Sequence, residues 1–143
     1  MCQLAKGWLY RAQKAIDVYD RFISAYIALN FLYNNRSEKV ERERMVRYLL
    51  EVVERNSMDP LVYDIAEYKA SPVVDMTPYS TRGKPDVIVS DKKSLFEAIY
   101  QVRCNLFHGN KALGDTRDQR LVAQGAGVII AILTKELRQE NRI

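Results

Sequence analysis

Histidine occurs once in this chain of 143 residues, tryptophan once, cysteine twice and proline four times. Each scarcity excludes something. One imidazole cannot build a metal site from histidines within a single chain, because a structural zinc needs four ligands. The two cysteines, Cys2 and Cys104, form no Cys-x-x-Cys pair and do not make the framework of a small secreted disulfide domain. No run approaches the roughly 18 apolar residues of a membrane helix. The opening segment "MCQLAKGWLYRAQKAIDVYD" carries charges throughout, so neither a signal peptide nor an anchor is expected. No glycine-rich phosphate loop, dinucleotide fingerprint or serine elbow occurs. A cytoplasmic protein without membrane contact, cofactor or bound metal is the expectation. Charge is nearly balanced: 22 basic against 18 acidic residues give +4, a mild bias toward polyanions.

What is present is core-forming material. Hydrophobic residues make up 48% of the chain, its length suits one domain spanning residues 1–143, and their spacing is helical. Leu9, Ala12, Ile16, Tyr19, Ile23 and Tyr26 step by three and four through residues 4–34, which predicts one long helix. Its second half, "FISAYIALNFLY", is apolar nearly all round, as expected of a helix central in the core or covered by a partner chain. Ser37 is placed to cap a second helix running to about Arg55. Val46, Leu49, Leu50 and Val53 form its inner face, and "EKVERERMVR" reads as a solvated outer face. Asp59-Pro60 starts a short helix. Residues 71–90 hold three of the four prolines and read as a long loop with short extended pieces at "VVD" and "VIV".

Asp91 caps the next expected helix, which runs to about His108 before Gly109. Asp115 caps the last, with Asp118 as the capping-box acid and Val122, Ala126, Ile129, Ile130, Leu133 and Leu137 as its inner stripe. Gly125 and Gly127 within it point to close helix packing.

The helix before Gly109 carries the candidate chemistry. Leu95, Ile99, Val102 and Leu106 form its core stripe. Beside that run Phe96, Tyr100, Arg103 and Phe107, a guanidinium in line with three rings. A further line reads Glu97, Gln101, Cys104 and His108. Arg103 and His108 fall about 140° apart on a regular helix. A structural reading covers both: histidine satisfying terminal carbonyls, arginine lying over aromatics. The chemical reading is metal-free RNA cleavage. Histidine takes the proton of a ribose 2′-hydroxyl, and arginine stabilises the charge on the phosphoryl oxygens. Lys111 would add a phosphate contact, and Asn105 would orient a base or phosphate. Cys104 and His108 also stand four apart, a spacing zinc ligands use; one chain offers no second pair, two chains across a two-fold axis would, and the same two residues could instead form a nucleophile pair.

"Arg103-Cys104-Asn105-Leu106-Phe107-His108", within "IYQVRCNLFHGNK", resembles the Arg-x4-6-His signature of the HEPN superfamily, and "YIALNFLYN" (residues 26–34) is similar to the family's first-helix pattern. The resemblance implies an all-α bundle of about four to five helices, pairing as a two-fold homodimer through the motif helices. It implies a metal-independent endoribonuclease, of the kind found among toxins and antiviral effectors, that leaves 2′,3′-cyclic phosphate and 5′-hydroxyl ends. Arg103 and His108 are then the catalytic pair, with Glu97, Tyr100, Cys104, Asn105 and Lys111 as supporting or RNA-binding residues. An antitoxin or nucleotidyltransferase-type protein is the implied partner. Cys104 departs from the pattern, in which Asn, Asp or His often follows the arginine. The alternative is a non-catalytic HEPN module that binds RNA, a nucleotide or a protein.

Overall fold

The computed structural model describes residues 2–74, 87–107 and 116–140. It is all-α. Six α-helices and one 3-10 turn follow in order: α1 (Cys2–Lys14), α2 (Val18–Tyr33), α3 (Glu41–Arg55), the turn Pro60–Val62, α4 (Ala66–Ala70), α5 (Lys92–Phe107) and α6 (Thr116–Glu140). Among the described residues no strand forms, and no helix is long and apolar enough to cross a membrane.

The expected first helix is two helices. Asp17 accepts hydrogen bonds from the backbone N–H groups of Tyr19 and Asp20, at 2.9 and 3.0 Å, and so caps a new helix inside an unbroken apolar rhythm. The chain turns back there, α1 packs along α2, and Ile16 projects from the turn at 99% exposure instead of joining the stripe. The second helix begins at Glu41 rather than after Ser37. Val40 stands at its N-cap with no side-chain bond. The preceding stretch is held outside the helix by Arg36, which pairs with Glu38 and Glu51, and by Arg44, which donates to the Glu38 carbonyl at 2.7 Å.

Helix α2 lies at the centre, between α1 and α6, while α3 packs on α5. Phe22, Ala25, Tyr26, Ala28, Leu29 and Tyr33 are buried within the single chain, as is Phe96 of α5. The protomer's own bundle therefore covers most of the apolar surface of residues 22–33, and Phe96 of the aromatic line on α5. Of that line Phe107 remains 48% exposed.

The stripe of α6 is buried throughout, as its spacing requires. Gly125 sits under the ring of Phe22 and the hydroxyl of Tyr68, which donates to the Leu121 carbonyl at 2.7 Å. A Cβ there would stand 2.5 Å from the tyrosine oxygen. Gly127 is exposed and meets nothing, so close packing is confined to Gly125. Gly125→Ala should destabilise the fold by about 1–3 kcal/mol despite alanine's better helix propensity, because Tyr68 must give up its bond or Phe22 its rotamer. Gly127→Ala should be neutral or stabilising. Paired urea melts check both.

Asp59 caps the turn at Pro60 as expected, through a 3.1 Å bond from Leu61 N–H. Helix α4, absent from the sequence reading, follows and docks Tyr68 against α6. The long connection is described only at its ends, where Val73 and Val87 form one antiparallel bridge. Asp91 accepts from Ser94 N–H at 2.8 Å at the start of α5.

Candidate functional site

The end of α5 packs beside the N-terminal turn of α3 and the middle of α2. Two tyrosines on one face of α2, seven residues apart, prepare the site. Tyr33 donates to Glu41 Oε1 at 2.8 Å and accepts from Asn30 Nδ2 at 2.9 Å. The Tyr26 hydroxyl meets that of Tyr33 and lies 3.3 Å from the same Glu41 oxygen. Burial pushes the Tyr33 hydroxyl up to about 12, and burial followed by the neighbouring Tyr33 raises Tyr26 further. Both remain protonated donors across the neutral range, as buried hydroxyls facing a carboxylate must.

Arg103 enters this seat from α5. Its Nη2 stands 3.7 Å from Glu41 Oε1. Its guanidinium carbon lies 5.2 Å from the Tyr26 ring centroid, 5.7 Å from that of Tyr100 and 5.0 Å from that of Phe107. Three rings and one carboxylate thus hold a cation whose side chain is 24% exposed. Its Nε is buried without an acceptor among the described residues. Nη1 reaches the Cys104 sulfur at 3.9 Å. Burial works against the arginine's charge, but the Tyr26 and Glu41 oxygens outweigh it and raise its pKa. Burial and then the Cys104 thiol raise Tyr100.

Asn105 is buried, not presented at the surface. It accepts from Gln101 Nε2 at 2.9 Å and donates to the Val74 carbonyl at 2.8 Å, which ties α5 to the start of the long connection. Gln101 in turn accepts from Arg42 Nη2 at 3.0 Å, and the Arg42 guanidinium lies 5.4 Å from the Tyr100 ring centroid. Glu97 sits one turn earlier, half-buried in a groove between α3 and α5 of about 360 Å³. His108 and Lys111 lie outside the described residues, as does the expected cap Asp115.

The structure therefore gathers Arg103, Tyr100 and Cys104, sets Asn105 beneath them, and places Glu97 in the adjoining groove. Sequence reading missed Glu41, Tyr26, Tyr33 and Arg42. The first and last belong to the segment read as a solvated face. A usable signal was the Tyr26–Tyr33 spacing: two hydroxyls on the buried face of an apolar helix require an acceptor. Among the described residues no group of three or more His, Cys, Asp or Glu side chains is close enough to share a metal ion.

No family model matches the chain, and neither a curated protein nor a solved structure does.

Proposed function

We propose that the chain is a HEPN-type, metal-independent endoribonuclease. The observation that carries the reading is the seat of Arg103: a half-buried guanidinium oriented by Glu41 and three rings, with its Nε lacking an acceptor among the described residues, five residues before the only histidine. Arginine's planar fork matches phosphoryl oxygens. His108 takes the proton of the 2′-hydroxyl. The 2′-oxygen bonds to phosphorus, the bond to the 5′-oxygen breaks, and the departing oxygen takes a proton from water. A 2′,3′-cyclic phosphate and a 5′-hydroxyl result. Arg103 holds the charge that develops on the non-bridging oxygens. Exposed Phe107, next to the pair, supports a site completed by a second copy of the chain.

The second reading, a non-catalytic HEPN module, is favoured by Glu41, because an arginine already matched by a carboxylate and three rings also serves the fold alone. Purified protein with total RNA in excess chelator separates the two. Cleavage should persist under chelation and fall in acid, as protonation of His108 removes the base. A requirement for Mg²⁺, or 3′-hydroxyl ends, would overturn the mechanism. RNA bound but not cut would select the second reading.

A further inference from the structure

The groove between α3 and α5 is lined by Val40, Arg42, Glu43, Val46, Leu50 and Glu97, with Arg47 and Lys93 at its rim. Its charged groups are not equivalent. Glu43 and Arg47 stand four apart on α3, and Lys93 and Glu97 four apart on α5, so each of these cations has an acid at helical spacing on its own helix. Arg42 has none: Met45 and Val46 occupy the corresponding positions. Among the described residues no carboxylate lies within 4.0 Å of Arg42, nor of Arg47 or Lys93. Of these three cations Arg42 is the one held in place. Its Nη2 donates to the neutral amide of Gln101, which Asn105 and the Val74 carbonyl hold in turn. Its guanidinium carbon lies 5.4 Å from the centroid of the Tyr100 ring, which Arg103 also approaches, at 5.7 Å. One tyrosine thus separates a cation matched by a carboxylate from a cation matched by none.

We propose that Arg42 is a second phosphate-binding residue, which takes the phosphate next to the scissile one on the RNA strand and leads that strand along the α3–α5 groove. The inference rests on the ribonuclease reading and extends it to residues outside the Arg-x4-His motif. A guanidinium preorganised by a neutral acceptor keeps its full charge for a ligand and spends no side-chain entropy on binding. The two guanidiniums share one ring, so both fall within reach of neighbouring phosphates of a single strand. The apolar floor of Val46 and Leu50 offers a surface on which a base can rest.

Arg42→Ala and Arg42→Lys test this with substrates of different length. A dinucleotide contains only the scissile phosphate, so Arg42→Ala should lose markedly less on it than on a longer strand. A hexanucleotide should lose about tenfold in kcat/KM, the size of one charge-assisted contact. In binding to an uncleavable 2′-deoxy oligonucleotide, Arg42→Ala should flatten the slope of log K against log salt by about 0.7, the value for one phosphate on a single strand. Arg42→Lys should keep that slope. Equal losses on the two substrates would mean that Arg42 acts through Tyr100 on Arg103, and would overturn the proposal. So would an unchanged salt slope, or a mononucleotide that binds as tightly as the oligonucleotide. If the unaltered protein cleaves nothing yet its salt slope depends on Arg42, the ribonuclease reading fails and the strand contact stands. If it neither cleaves nor binds RNA, both fall.

Discussion

Arg103→Ala and His108→Ala should each lower RNA cleavage by about a hundred- to a thousandfold. A positioned general base contributes about 10²–10⁴ and one donor to a developing oxyanion about 10²–10³. The two losses should not multiply in the double variant, because the residues serve one transition state. Arg103→Lys should restore little. Lysine keeps the charge but cannot lie flat among the rings of Tyr26, Tyr100 and Phe107 while facing Glu41. If two copies share the site, the inactive variants should complement each other when refolded together. Half of a statistical mixture is heterodimer with one intact pairing of two, so roughly a quarter of the activity should return. Heterodimers that form without activity would assign a complete site to each chain. Near-normal activity in either single variant would remove that residue from the catalytic pair.

The largest effect on stability is expected at Arg55. Its guanidinium pairs with Glu136 of α6, which also accepts from Asn56 Nδ2 at 3.0 Å. The Glu136 side chain is only 4% exposed, whereas that of Arg55 is half exposed. Burial alone would raise the Glu136 carboxyl, but the bonds from Arg55 and Asn56 overcome it and hold the pKa below the usual carboxylate value. Arg55→Ala leaves a buried carboxylate with one amide. The cost should be about 2–3 kcal/mol at neutral pH, under the range for a fully buried pair because Arg55 is partly solvated. That corresponds to a fall in Tm of about 5–10 °C for a chain of this size. The sign of the pH dependence follows. In the unaltered protein Glu136 titrates lower folded than unfolded, so its contribution is present above the unfolded value and is lost as pH falls through the folded one. In the variant the carboxyl titrates higher and takes up a proton sooner. The gap between the two proteins should therefore narrow through the carboxylate range. Melting curves at neutral and acidic pH check this, and a gap that stayed constant would show that Arg55 acts by packing alone.

What the sequence made legible, and what it hid, divides along one physical line. Periodic apolar stripes were readable: α5 and α6 lie where spacing puts them, and Val46, Leu49 and Val53 face inward from α3. The break between α1 and α2 was hidden because a cap needs only one side chain, and Asp17 interrupts no stripe. The aromatic line on α5 was readable as a face but not as a destination. Phe96 is taken by the core, Phe107 stays outside, and only Tyr100 and Arg103 share the intermediate ground. Glu41 and Arg42 were hidden for a different reason. Alternating charges along a helix look solvated until the helix is known to lie against α2, which carries two buried tyrosines, and α5, which carries a buried glutamine. Burial of polar groups depends on which helices meet, and that is a property of pairs of segments distant in sequence.

The bridge between Val73 and Val87 brings the two described ends of the long connection to one point. The number of residues joining those ends can differ without moving any helix, since doubling the length of a loop with fixed ends costs only about 0.6 kcal/mol in closure entropy. Because Asn105 fastens to Val74 at that same point, the exit is keyed to the arginine helix. The bundle can therefore accept a new segment there, of another length and composition, always delivered to the same place relative to Arg103.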